Sequence, residues 1–278
     1  MSKTVELPDG EQVPALGLGT WRMGESRARR VAELAALRHA LDRGVRLVDT
    51  AEMYGDGGAE TIVGEAIAGR RDEVFLVGKV YPHNAGRRSA IAACERSLGR
   101  LGTDRIDLYL LHWRGAVPLA ETVAAFEQLR ADGKIRHWGV SNFDCDDMRE
   151  LVSVPGGERC AADQVYYSAS RRGVEFDLLP WLREHRMPSM AYCPLDEGAL
   201  ARDAALASIG SALGASAAQV AIAWLLSRPG VIAIPKAVRR EHVDENLAAQ
   251  ALVLSAQDLA TIDAAFSPPT RKVPLAIV

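Results

Sequence analysis

Eight short apolar runs recur along the chain, each followed by a longer stretch that is apolar at helical spacing, and this alternation constrains the fold more than any other feature. The runs are Ala15–Gly19, Arg46–Thr50, Val74–Lys79, Ile106–His112, Ile135–Ser141, Cys160–Val165, Met187–Tyr192 and Val231–Pro235. The helical stretches are Ser26–Arg43, Glu60–Ala68, Arg87–Leu101, Pro118–Asp132, Cys145–Val152, Phe176–His185, Ala217–Ser227 and Glu241–Ala251. Their ends carry the expected chemistry. Gly44 and Gly133 stand where a left-handed C-terminal residue is wanted, and Asp144 and Ser216 are placed as N-caps. Uniform βα alternation implies parallel strands covered by helices, and eight units is the number that closes a barrel. With a hairpin signal at Pro8-Asp9-Gly10, the sequence predicts an α/β fold: a (β/α)8 TIM barrel with an N-terminal β-hairpin, one domain over 1–278. An open doubly wound sheet should show Gly-x-Gly-x-x-Gly after its first strand, whereas Gly17-Leu18-Gly19-Thr20-Trp21-Arg22 lacks the third glycine.

Composition narrows the class of partner. Of 278 residues, 48% are hydrophobic and 25% charged, enough apolar surface to build a large core without staples. A net charge of −3, with both signs mixed along the chain, gives no basic field for nucleic acid or anionic lipid, so a small molecule is the expected partner. The first ten residues contain no apolar run of signal-peptide type, and no stretch reaches the roughly 18 apolar residues of a membrane span. Cys94, Cys145, Cys160 and Cys193 are scattered without metal-ligand spacing, which predicts reduced thiols, a cytoplasmic location and no bound metal. A monomer is expected.

In a parallel barrel the chemistry lies at the C-terminal ends of the strands. Those ends read Gly19-Thr20-Trp21, Asp49-Thr50, Lys79, His112-Trp113, Ser141-Asn142, Gln164, Tyr192 and Pro235-Lys236. Alone, an Asp is a salt-bridge partner, a Tyr an edge aromatic and a His a satisfied core residue. Together at one barrel mouth, Asp49, Tyr54, Lys79 and His112 point to proton transfer, because burying Asp and Lys is costly unless they pair. Pairing Asp49 with Lys79 leaves an ammonium near the Tyr54 phenol, whose free pKa is about 10. If that cation lowered the value by ~2 to 3, tyrosinate would gain roughly 3 to 4 kcal/mol, bringing the phenol into the useful range for acid catalysis. His112 is then placed to polarise a carbonyl. These groups lack an electron source, and a hydride cofactor would supply it.

The segments Gly17–Trp21, Val48-Asp49-Thr50-Ala51-Glu52-Met53-Tyr54-Gly55, Val77-Gly78-Lys79, Leu108–Trp113, Gly133–Phe143, Asp163-Gln164-Val165 and Ile234-Pro235-Lys236 follow one another as they do in the aldo-keto reductases. Over essentially its whole length the chain resembles that family, and within it the bacterial methylglyoxal-reductase type, which Arg171–Trp181 also matches. The resemblance implies reduction of small aldehydes or ketones, with Tyr54 as proton donor, Lys79 and Asp49 assisting, and His112 positioning the carbonyl. It implies that Gly19, Thr20 and Trp21 border the cofactor and that Ser141, Asn142 and Gln164 hold the nicotinamide carboxamide, a group whose donors and acceptor they match. It implies further that Tyr192 stacks on the nicotinamide and that Cys193-Pro194-Leu195 binds the pyrophosphate through backbone N–H groups. Beyond the last strand, Pro235 and Lys236, with Arg239 or Arg240, are expected at an adenosine 2′-phosphate, which favours NADPH. His242 stands where many relatives carry arginine and Ala237 where they carry serine, which leaves NADH as a second cofactor. Glu245 and Asn246 correspond to adenine contacts.

Trp21, Met53, Tyr81, Trp113 and Phe143 fall one residue from motif positions and are expected to wall the substrate pocket. The tail Ser267–Val278 is short, which predicts an open pocket and broad specificity for small carbonyls. Two other readings use the same residues. Lys79 could form a Schiff base, as in barrel aldolases, or the chain could be a non-catalytic, cofactor-binding subunit.

Overall fold

A computed structural model describes residues 3–278. The chain opens with a hairpin, β1 (Thr4–Glu6) and β2 (Gln12–Pro14), paired antiparallel. Eight parallel strands follow: β3 (Leu18–Gly19), β4 (Leu47–Asp49), β5 (Phe75–Val80), β6 (Ile106–Leu111), β7 (Ile135–Ser141), β8 (Asp163–Tyr166), β9 (Ser189–Tyr192) and β10 (Val231–Ala233). Neighbours in sequence are neighbours in the sheet, from β3 through to β10. The ring closes where Leu16 bridges Ala233 and Gly19 bridges Lys236 in parallel, with Gly19 N–H donating to the Pro235 carbonyl at 3.1 Å.

The helices are α1 (Arg30–Asp42), α2 (Gly58–Ile67), α3 (Arg87–Leu101), α4 (Leu119–Ala131), α5 (Cys145–Ser153), α6 (Leu178–Glu184), α7 (Ala204–Leu213), α8 (Ala217–Leu226), α9 (Arg240–Ala248) and α10 (Ala256–Ala265). Asp144 and Ser216 each close a capping box, and Gly44 and Gly133 are left-handed at φ 96° and 71°, as the sequence suggests. Helix α7 is absent from the sequence reading, which assigns one helix to each strand; its own signals, an Asp203 N-cap accepting from Leu206 N–H and a left-handed Gly214, are local and clear. No single helix among the described residues is long and apolar enough to cross a membrane.

Strand parity organises the core. Residues two apart on a strand face the same side. Leu47, Val77, Leu108, Leu110, Ala162, Met190, Ile232 and Ile234 fill the barrel, and Leu7 and Val13 from the hairpin region join them. Val48, Leu76, Tyr109, Leu111, Trp138, Val140 and Val165 face outward into a larger cluster shared with the helices. Adding two to the inward positions gives Asp49, Lys79, His112, Gln164, Tyr192 and Lys236, so the polar strand ends form the layer directly above the apolar plug.

Two loops at this mouth approach backbone to backbone. A Cβ on Gly24 would lie 2.3 Å from the Gly58 carbonyl carbon, and Gly24 has φ 79°. That contact seats the loop after β3 against the turn carrying Tyr54. Gly24→Ala should therefore destabilise the protein by about 1–3 kcal/mol, from left-handed strain alone, and lower the urea midpoint at constant m-value. An unchanged midpoint would mean the two loops separate at no cost.

Candidate active site

Asp49 ends β4 and Lys79 lies near the end of β5, in a register that pairs Asp49 with Val77, so the two side chains share the inner face one step apart. Lys79 Nζ donates to Asp49 Oδ2 at 2.7 Å and to the Thr50 carbonyl at 3.0 Å, and stands 3.3 Å from the Tyr54 hydroxyl. Lys79 is 0% exposed and Asp49 2%. Tyr54 sits on the turn after β4, with its ring edge-on to His112 at 5.7 Å between centroids. All four groups expected from the sequence thus meet at one point.

Their electrostatics differ from the expectation in one respect. Burial, with Asp49, Cys193 and Tyr192 adding to it, pushes the Tyr54 phenol well above 10, so desolvation outweighs the neighbouring ammonium and the phenol holds its proton. The same desolvation draws Lys79 below its usual value while Asp49 pulls the other way. His112 lies well below 6.5, because burial and then the Lys79 charge both disfavour imidazolium. Its Nδ1 is buried without a partner among the described residues. A neutral imidazole with one N–H can hold an oxygen, and a protonated phenol beside an ammonium can release a proton to it.

A cleft of about 760 Å³, counting the space at its open mouth, is lined by Gly19, Trp21, Asp49, Met53, Tyr54, His112, Trp113, Ser141, Asn142, Gln164, Tyr192, Cys193, Pro194 and Lys236. Asn142, left-handed at φ 59°, is held on three sides. Its Nδ2 donates to the His112 carbonyl and to Ser141 Oγ, both at 3.1 Å, and its Oδ1 accepts from the Tyr192 hydroxyl at 2.8 Å. Gln164 Nε2 donates to Asp49 Oδ1 at 2.8 Å. Lys236 is exposed at the far end, where partial desolvation lowers its pKa, Glu33 and Glu25 oppose the shift and the Arg29 and Arg22 cations add to it.

Several expected site residues do not line this cleft. Phe143 is fully buried in the outer core, because the left-handed Asn142 before it turns the chain away from the mouth. Tyr81, half-buried, does not line the cleft and stands edge-on to Trp113 at 5.3 Å between centroids. Thr20 is fully buried with its hydroxyl donating to the Asp49 carbonyl at 2.9 Å, so it braces β3 against β4. Leu195, Pro235, Arg239, Arg240, His242, Glu245 and Asn246 are outside the cleft lining. Of these, Arg239 contacts His242, and the Glu245 carboxylate accepts from the Ser216 hydroxyl.

The sequence reading missed three contributors. Buried Glu52 accepts from Tyr81 N–H at 2.8 Å and Asn84 Nδ2 at 3.0 Å, strapping the loop after β5 to the turn carrying Tyr54. Arg22, stacked over Trp21, reaches Glu197 at 3.4 Å, linking the loops after β3 and β9. The tail is the third: Ile277 and Val278 line the cleft, so even a short tail contributes to its wall. Lys272, within 3.6 Å of Asp144, Asp146 and Asp177, and Leu275, packed on the core, fix its course. An apolar Leu275-Ala276-Ile277-Val278 after two basic residues was the available signal.

The one group of described residues that could offer three metal ligands, Asp9, Glu11 and His137, lies toward the N-terminal ends of the strands, and Arg136 shares the Glu11 oxygen that His137 contacts.

Residues 15–266 match the aldo/keto reductase family. Methylglyoxal reductase YeaE of Escherichia coli K12 is 51% identical over 281 residues, covering 99% of each chain. Glyoxal reductase of Bacillus subtilis is 32% identical and covers 95% of this chain and 93% of its own. The crystal structure of an aldo-keto reductase from Klebsiella pneumoniae in complex with NADPH superposes with a TM-score of 0.97 at 51% identity, over 100% of both chains. The ring of strands, the acid-amine-phenol-imidazole group at its mouth and these likenesses agree, and the chain belongs to the aldo/keto reductase family.

Proposed function

We propose that this protein is an NADPH-dependent reductase of small aldehydes and ketones of the methylglyoxal kind. The observation that carries this reading is the Lys79 ammonium, 2.7 Å from Asp49 and 3.3 Å from the Tyr54 hydroxyl, at a cleft that extends to a cationic far end. The nicotinamide supplies hydride to the carbonyl carbon. Tyr54 gives its proton to the carbonyl oxygen as that oxygen gains charge, and Lys79 stabilises the phenolate left behind. Neutral His112 holds the oxygen in line. Ser141, Asn142 and Gln164 present a hydroxyl and two amides to the carboxamide, Tyr192 offers a ring face, and Cys193 and Pro194 border the pyrophosphate. Lys236, with Arg239 and Arg240 beside it, meets the 2′-phosphate, and Trp21, Met53 and Trp113 form the substrate wall. The chain works as a monomeric barrel in the cytoplasm, a reading its four unpaired cysteines support.

Two alternatives fit less well. A Schiff-base lysine needs a free amine within reach of substrate, whereas Lys79 Nζ is engaged by Asp49, Thr50 and Tyr54. A non-catalytic subunit has no use for that assembly.

Tyr54→Phe should lower carbonyl reduction by roughly 10²–10⁴-fold while NADPH still quenches tryptophan fluorescence with nearly unchanged affinity. Full activity in that variant would overturn the mechanism. Lys236→Ala should weaken NADPH by about tenfold, some 1.4 kcal/mol, and leave NADH binding alone. Steady-state rates with both cofactors against methylglyoxal, glyoxal, aldoses and keto acids measure the preference; equal losses for both cofactors would remove Lys236 from the phosphate.

His112 gives a pH-dependent stability prediction. Its folded pKa lies below 6.5, so the unfolded chain binds the extra proton and the protein loses stability as pH falls below about 6.5. Above that value the contribution vanishes. His112→Asn should make the urea midpoint less sensitive to pH on the acid side than in wild type, and parallel profiles would show that His112 is not held neutral.

A further inference from the structure

Gln164 makes a contact that the reaction does not require of a cofactor ligand. Strands β4 and β8 stand four places apart in the eight-strand ring, on opposite walls of the barrel, yet Gln164 Nε2 reaches across its mouth to Asp49 Oδ1 at 2.8 Å. Both residues are buried, at 2% exposure each. Asp49 now has both oxygens engaged, Oδ2 by Lys79 and Oδ1 by Gln164. An ionised carboxylate only accepts hydrogen bonds, so it fixes the amide with nitrogen toward Asp49 and oxygen away. Among the described residues no donor reaches Gln164 Oε1, and Gln164 lines the cleft. The remaining amide proton side meets only the Met190 sulfur at 3.8 Å.

We propose that Gln164 is a positioning residue for proton transfer: it holds Asp49, and through Asp49 the Lys79–Tyr54 pair, in register with whatever amide donor occupies the cleft. The inference rests on the reductase reading above, in which that donor is the nicotinamide carboxamide. One side of the Gln164 amide accepts from the cofactor and the other donates to the carboxylate that orients the ammonium. A well-seated carboxamide and a correctly aimed Lys79 are then parts of one hydrogen-bonded line, Gln164 to Asp49 to Lys79 to Tyr54.

Gln164→Glu separates this role from simple cofactor contact. A carboxylate accepts an amide N–H as well as a glutamine oxygen does, so a residue that met the carboxamide and not Asp49 would tolerate the change at every pH. Facing Asp49 at hydrogen-bond distance, two carboxylates cannot both ionise cheaply, and the pair keeps a shared proton. With that proton the introduced carboxyl group donates to Asp49 as the glutamine amide does; without it the line breaks. At saturating NADPH, kcat of Gln164→Glu should approach wild type at low pH and fall by on the order of tenfold or more as pH rises through the pair's pKa, a descending limb that wild type lacks. NADPH affinity by fluorescence is read at the same pH values, and saturating cofactor keeps any loss of the carboxamide contact out of kcat.

Infrared spectra of the cofactor-free variant give a readout independent of turnover. Wild type carries buried carboxyl groups of its own, Asp163 among them, so the readout is the difference spectrum: an additional carboxylic-acid C=O band should appear in the variant above the usual glutamate pKa of about 4.3 and be lost when Asp49→Asn is added. If Gln164→Glu proves unstable, Gln164→Met serves: its kcat at saturating cofactor should fall at all pH values, and a raised cofactor Kd with unchanged kcat would overturn the proposal. So would a Gln164→Glu pH profile superimposable on wild type. A wild-type protein that oxidises NADPH with no carbonyl would instead defeat the reductase reading, while the infrared band would still report on the Gln164–Asp49 contact.

Discussion

A lysine with no solvent exposure stands against an aspartate nearly as deeply buried, and the architecture at the barrel mouth is arranged to make that pair tolerable. Taking each charge out of water costs several kcal/mol, which their mutual attraction offsets only when the remaining hydrogen-bonding capacity is filled. It is filled here by the Thr50 carbonyl and the Tyr54 hydroxyl on Lys79, and by Gln164 on Asp49. Those partners come from the strand before, the turn after it and the far wall. Losing either charge would leave the other buried and alone, at a cost of roughly 3–5 kcal/mol. The pair therefore ties the catalytic geometry to the integrity of the ring.

The ring in turn meets that demand through strand parity. On β4, β5, β6, β8 and β9 the inward side chain below the mouth is apolar and the next one polar, because residues two apart face the same way. The plug of Leu47, Val77, Leu110, Met190 and Ile234 excludes water from below, and the polar layer sits on it. Low dielectric from the plug is what holds Tyr54 protonated and His112 neutral. Stability and chemistry thus share a boundary one residue layer thick.

Much of this was legible in the sequence, and the failures have physical causes. The strand ends that bring together Asp49, Lys79, His112, Gln164 and Tyr192, and the caps at Asp144 and Ser216, are local patterns, and local patterns survive folding. Phe143 misled because adjacency in sequence is not adjacency at a site: a left-handed Asn142 sends the next side chain into the outer core. Helix α7 was hidden by the assumption of one helix per strand, although Asp203 and Gly214 mark its ends. For Tyr54 the sequence shows the charged neighbour, which lowers a phenol's pKa, but not the burial that raises it, because burial depends on the whole cluster and is invisible in a list of residues. Ile277 and Val278 at the cleft could be found only by following the tail, whose path is set by Lys272 among three carboxylates far away in sequence.

The two sides of the cleft are built to different tolerances. The proton-transfer side is carried on strands and one short turn, with Asp49, Lys79, Tyr54 and Gln164 each hydrogen-bonded to another element and the His112 ring set edge-on against Tyr54. The far side is carried on loops, where Arg22, Cys193, Asp196 and Glu197 all take left-handed backbone and an exposed Arg22–Glu197 pair spans the gap. An exposed pair of this kind contributes at most about 1 kcal/mol and weakens with salt. Such a contact can part and re-form at little cost, while the Asp49–Lys79 pair cannot. A cofactor that must enter and leave fits the loop-borne side, and a carbonyl that must meet a proton donor within a fraction of an ångström fits the strand-borne side. The division follows from where the chain can accommodate strain, since left-handed residues in a loop leave the barrel's hydrogen-bond ladder untouched.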